Sequence, residues 1–107
     1  MQNMQIVASK SFKKELTNLF DYASTKSQKY FEKCKRGISS YIDTLKIFPY
    51  IGRKVLELSN KEYRERIYAN YRIVYQPFEK TKYVYINFIV HAKRDFLKYY
   101  NLYLEER

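Results

Sequence analysis

The stretch YRERIYANYRIVYQ, residues 63–76, decides how the chain is read. Apolar and aromatic residues alternate on either side of Ala69-Asn70, the period-two signature of two strands joined by a turn. Arg64, Arg66 and Arg72 stand inside this pattern, so segments built for burial carry three guanidinium groups. On the first strand Arg64, Arg66 and Tyr68 share one face, and Tyr63, Glu65 and Ile67 share the other. On the second, Tyr71, Ile73 and Tyr75 alternate with Arg72, Val74 and Gln76. A two-residue turn at Ala69-Asn70 pairs Tyr68 with Tyr71 and Arg66 with Ile73, and sends Arg72 to the face opposite Arg64 and Arg66. A three-residue turn or a bulge returns Arg72 to their face. The sequence leaves both open.

Working outward, KYVYINFIVH (residues 82–91) predicts a third strand of this run, with Val84, Ile86, Phe88 and Val90 alternating against Tyr85, Asn87, Ile89 and His91. Pro77 and Lys80-Thr81-Lys82 mark the turn before it. Upstream, SFKKELTNLFDYAS (residues 11–24) spaces Phe12, Leu16, Leu19, Phe20 and Ala23 by three and four, one apolar face of a helix that Ser9 or Ser11 can cap. Polar residues 24–27 break the run. A second, longer helix follows in KYFEKCKRGISSYIDTLKIF (residues 29–48), with Phe31, Cys34, Ile38, Ile42 and Leu45 on one stripe. Gly37 inside it costs about 1 kcal/mol relative to Ala, which points to close packing at that position. Pro49 ends the helix, and residues 50–62 form a connection with a basic start. MQIVAS (residues 4–9) predicts a short first strand, and the last segment, residues 94–107, has Phe96, Tyr99 or Tyr100, and Tyr103 at helical spacing.

The expected order is therefore strand, two helices, three strands, helix. This is an α+β protein: an antiparallel sheet (β-α-α-β-β-β-α) with an α-helical hairpin packed on one face, leaving the other face free, concave and basic. At 107 residues the chain suits one domain spanning 1–107. Two prolines and two glycines imply long ordered elements rather than linkers.

Twenty-one Lys and Arg against eleven Asp and Glu give a formal charge of +10, a surface that attracts polyanions such as nucleic acid, a ribosome or an acidic protein. Thirteen tyrosines supply rings that pack in a core or stack on bases. Cys34 is the only cysteine and His91 the only histidine, so neither a disulfide nor a metal cluster is expected, and no cofactor is called for. The segment MQNMQIVAS has no charged region leading into an apolar run, and no stretch approaches the roughly 20 apolar residues that span a bilayer. A cytoplasmic protein without membrane contact is the expectation. There is no phosphate-cradling glycine loop, no serine-nucleophile elbow and no paired-carboxylate pattern. An enzyme built on this sequence has to stabilise charge with arginine, lysine and tyrosine. Strand arginines also serve simply as solvated, ion-paired surface.

FPYIGRKVLEL, YRERIYANYRIVYQ and YINFIVHAKRDF, in this order after a helical hairpin, resemble the RelE/ParE superfamily of toxins from type II toxin–antitoxin modules. The resemblance covers nearly the whole chain. It implies a cognate antitoxin as partner, a role in plasmid stabilisation, and one of two targets. RelE-like members cut mRNA in the ribosomal A site. Matched motif to motif, that chemistry falls on Arg64 and Arg66 as phosphate-binding or proton-transfer groups, on Arg72 and Arg94, and on Tyr100 as a stacking or acid–base group. Lys93, His91, Arg53 and Lys54 then become candidates for binding RNA or another target. ParE-like members instead inhibit DNA gyrase without being nucleases. PYIGRKVLE, the long hairpin and the ungapped spacing from Arg64-Glu65 to Asn70-Tyr71 resemble that branch, although Arg66 stands where an apolar residue is commoner. A plain nucleic-acid-binding module, or an inactive toxin-like binding protein, is the alternative from a different class.

Overall fold

The computed structural model describes residues 3–106. Strand β1 is Gln5–Ala8, helix α1 Lys10–Lys26, helix α2 Gln28–Ile47, strand β2 Arg53–Lys54, strand β3 Arg64–Tyr68, strand β4 Tyr71–Phe78, strand β5 Tyr83–His91 and helix α3 Phe96–Glu106. A single 3-10 turn, Leu56–Leu58, lies between β2 and β3. The five strands form one sheet in the order β1-β5-β4-β3-β2. The α+β class and the order of the main elements are as the sequence predicts. Two details are added: β2 is a two-residue strand in the connection, and β1 runs parallel to β5, which makes the sheet mixed.

Two serines set the helical hairpin. The Ser9 hydroxyl accepts the Phe12 amide (3.0 Å) and starts α1. Ser27 ends α1 through its own amide and starts α2 by accepting the Tyr30 amide on its hydroxyl (3.0 Å). Its extended backbone makes the break between two helices one residue long. The apolar stripes then converge on the sheet: Leu19 and Ala23 of α1 and Cys34, Ile38 and Leu45 of α2 are buried with Ile73, Tyr75, Val84, Ile86 and Ile89. Each such large side chain contributes about 1.5–3 kcal/mol when fully buried.

The second face of the sheet is not free, which corrects the expectation of an open hollow. Helix α3 and the connection cover it, burying Phe96, Tyr100 and Tyr103 with Val55, Leu58, Tyr63, Val74, Phe88 and Val90. Helical periodicity identified α3 but not the surface it lies on.

The alternation in β5 is also corrected. Val74 pairs with Phe88 but Tyr75 with Ile86, so Asn87 is the extra residue of a bulge. Before it Val84 and Ile86 face the hairpin; after it Ile89 does, while Phe88 and Val90 turn to α3. Asn87 is fully buried, and its Nδ2 donates to Gln76 Oε1 (3.1 Å) and the Tyr103 hydroxyl (2.9 Å). The Ser9 hydroxyl donates to its carbonyl, tying the start of α1 to the bulge. The bulge shifts the alternation by one residue, so Phe88 and Val90 join the core under α3 and Ile89 joins the core under the hairpin.

Candidate functional site

The β3–β4 turn has two residues. Tyr68 pairs with Tyr71 and Arg66 with Ile73. Arg72 therefore lies on the face opposite Arg64 and Arg66, and the structure does not gather the three guanidinium groups over one hollow. Each clamps a different segment to the sheet.

Arg64 reaches the loop after α2. Its Nη1 donates to the Gly52 carbonyl (2.8 Å) and, more weakly, to the Tyr50 carbonyl (3.4 Å), and its guanidinium sits 5.0 Å from the Tyr50 ring. Arg66 lies over the Tyr41 ring at 4.2 Å and donates to the Tyr41 carbonyl (3.3 Å). Among the described residues neither has a carboxylate partner.

Arg72 is bound differently. Its two terminal nitrogens grip both oxygens of Glu57 (2.8 and 2.9 Å), its Nε donates to Glu65 (2.5 Å), and its plane covers the Phe96 ring at 4.0 Å. Glu65 is 2% exposed and also receives Arg53 Nε (3.0 Å). The hydrogen bonds from Arg72 hold the Glu57 carboxyl below its ordinary range against the opposing cost of burial. The two carboxylates raise the Arg72 pKa further, with Glu57 the larger cause, and remove it from any role as a base.

Tyr100 is also committed. It is 6% exposed, its hydroxyl lies 3.3 Å from that of Tyr63, and the two rings meet edge to face at 5.5 Å. His91 and Arg94 stand elsewhere, at the exit of β5, lining a cleft with Glu15 and Tyr22 of α1 and with Tyr71. The His91 ring meets Tyr71 edge to face at 5.0 Å, and its Nδ1 accepts the Lys93 amide. The Arg94 guanidinium lies 5.7 Å from the Tyr99 ring, and Lys93 is exposed. Arg53 and Lys54 form β2; Lys54 pairs with Glu62 at 3.7 Å.

The expected site residues thus occupy three places. Arg64 and Arg66 border the loop after α2, with Arg53 and Lys54 on the edge strand beside them. Arg72 and Tyr100 lie under α3. His91, Lys93 and Arg94 lie at the end of β5. Sequence reasoning missed Glu57 and Glu65, the groups that occupy Arg72. Glu65 had a signal: with a two-residue turn it falls on the Arg72 face, one diagonal step across the strand pair. Tyr41 and Tyr50, the rings under Arg66 and Arg64, had none, because they come from a helix and a loop. Among the described residues no group of three or more His, Cys, Asp or Glu is placed to hold a metal ion. No helix there is long and apolar enough to cross a membrane.

Both faces of the sheet are thus covered, and the candidate site residues are divided among three places rather than gathered in one. Residues 6–96 match the family model described as ParE toxin of type II toxin-antitoxin system, parDE, and the chain belongs to that family. Membership in a type II module implies an antitoxin partner. No curated protein sequence matches the chain.

Proposed function

We propose that this toxin arrests growth by binding DNA gyrase rather than by cutting ribosome-bound mRNA. The observation that carries the reading is the commitment of Arg72 and Tyr100. RNA cleavage on this scaffold asks arginines and a tyrosine to surround a scissile phosphate and stabilise its developing charge. Arg72 instead spends three donors on two carboxylates, and the Tyr100 hydroxyl points at Tyr63 within the second core. Arg64 and Arg66 lie across the sheet from both. The family match supports the same choice. The protein acts as a single domain in the cytoplasm, without a cofactor, until its antitoxin neutralises it.

The exposed Lys93 and Arg94 beside His91, with the formal charge of +10, favour a second reading in which the β5 exit engages ribosomal or messenger RNA. Two reactions separate the readings. In a translation reaction with purified ribosomes and a defined mRNA, the gyrase reading expects no cuts in the A-site codon. With purified gyrase it expects loss of supercoiling or accumulation of broken DNA. A-site cuts that disappear in Arg94→Ala, with gyrase unaffected, reverse the assignment.

A further inference from the structure

Between the helical hairpin and the β3–β4 turn lies a pocket of about 120 Å³ that none of the expected site residues lines. Its volume is on the scale of a cavity that takes one aromatic ring. Tyr22 of α1, Tyr30 of α2, and Tyr68 and Tyr71 on either side of the turn supply its rings, and Lys33 is the charged residue among those lining it. Local sequence builds these walls. Helix α2 has no side chain at Gly37, where a Cβ would overlap the Tyr68 ring, so Tyr68 crosses to the helix and donates its hydroxyl to the Lys33 carbonyl (3.3 Å). Ala69, at φ 52°, turns the chain tightly and brings Tyr71 back beside Tyr68. Tyr22 and Tyr30 are 55% and 45% exposed, so the core does not use up their rings.

We propose that this pocket binds a free nucleoside monophosphate, its base among the tyrosine rings and its phosphate on Lys33 and Lys26. Three observations carry the choice. First, aromatic side chains bind bases by stacking, whatever the base, and four of them line one small pocket. Second, its charge is positive. Lys33 lines it, Lys26 Nζ stands 5.0 Å from the Tyr22 ring, and neither lysine has a carboxylate partner among the described residues. A cation of the kind that aromatic cages hold is therefore disfavoured, and a ring that carries an anion is favoured. Burial raises the Tyr68 and Tyr71 phenols above their ordinary range, and the neighbouring Cys34 is the chief cause of the same shift at Tyr30. No phenolate at these positions opposes the phosphate at neutral pH. Third, the adjoining cleft, which shares Leu19, Tyr22 and Tyr71, carries Glu15 as well as Arg94. A strand led on from the pocket into that cleft meets a carboxylate, which favours a single nucleotide over a chain of them. The pocket lies on the hairpin side of the sheet, across from Arg72 and Tyr100, and is independent of the gyrase assignment.

The probe is uridine monophosphate, followed by ligand-detected NMR and by the rate at which iodoacetamide labels Cys34, the one cysteine of the chain and part of the pocket wall. Uridine monophosphate binds the wild-type chain and slows the labelling of Cys34. Tyr30→Ala weakens binding about tenfold through lost stacking, and Lys33→Gln about threefold with a shallower salt dependence. Uridine and ribose phosphate, each one half of the ligand, bind far more weakly than the whole. Both substitutions alter exposed positions of α2, and thermal unfolding checks that each variant is folded. Should Tyr30→Ala fail that check, Lys33→Gln and the protection of Cys34 carry the test. The inference is overturned if uridine monophosphate does not bind, if it binds without protecting Cys34, or if the substitutions leave its affinity unchanged. It is equally overturned if choline or N-acetyltyrosinamide binds as well, which assigns the pocket to a cation or to a partner's ring. Binding of an oligo-uridine strand without binding of the monophosphate assigns it to a strand and overturns it too. Gyrase takes no part in these readouts, so loss of the nucleotide site leaves the proposed target standing, and loss of the target leaves the site.

Discussion

Glu65 sits under two guanidinium groups with 2% of its surface exposed, and its charge is the hinge of the Arg53–Glu65–Arg72–Glu57 chain. Removing one partner of a buried pair leaves the other charge uncompensated, which costs far more than breaking an exposed pair. Glu65→Gln is expected to cost about 2–3 kcal/mol, and Glu57→Gln less than about 1 kcal/mol because its carboxylate is partly solvated. Urea unfolding measures both, and equal losses contradict the picture. The pH dependence follows from Glu57. Its folded pKa lies below its unfolded value, so the pair stabilises the fold above the ordinary glutamate range. That contribution fades as pH falls through the depressed value. Wild type should therefore lose stability more steeply than Glu57→Gln below about pH 4.3, the unperturbed glutamate value. Parallel acid limbs would show that Arg72 does not bias the carboxylate.

At the level of elements, the two glycines behave oppositely. A Cβ on Gly52 would lie 2.5 Å from the Glu65 carbonyl and 2.6 Å from the Tyr75 hydroxyl, which itself accepts the Gly52 amide at 2.9 Å. The backbone of β3 cannot step aside cheaply, so Gly52→Ala is expected to cost more than about 2 kcal/mol and to loosen β2. A Cβ on Gly37 meets only the far end of the Tyr68 ring. Alanine there returns about 1 kcal/mol of helix propensity, and Gly37→Ala should stay within about 1 kcal/mol of wild type. Comparable losses in thermal unfolding of the two variants would refute this contrast. The elements themselves were legible, because periods of two and 3.6 are local properties of the sequence. The sequence likewise tied Gly37 to close packing, but not to Tyr68. The two-residue β2 carries too little pattern to register. The Asn87 bulge could not be read either: Val84 to Val90 alternate without interruption, and only the pairing with β4 shows the slip. The tight turn after β3 holds Ala69 at φ 52°, where glycine or asparagine would have announced it.

For the whole molecule, what decides function is which surfaces remain once both faces of the sheet are covered. The sequence assigned the hairpin to one face and left the other open, because nothing local says that α3 folds back. Once it does, Tyr100 becomes core and Arg72 becomes the anchor of the connection that closes over it. How the candidate arginines divide between the two faces depended on one turn length. The charge of +10 is spread over the exposed faces of the helices as well as over strand edges and loop ends, rather than gathered around one hollow. The commitment of Arg72 and Tyr100 is the basis for proposing gyrase as the target.

Supercoiling of relaxed plasmid by purified gyrase, titrated with the purified protein, tests the proposed target most directly. Supercoiling is expected to fall with increasing protein, and Arg72→Gln, if folded, to inhibit as wild type does, since Arg72 serves the fold. Undiminished supercoiling at saturating protein, from a preparation that cuts ribosome-bound mRNA, would contradict it.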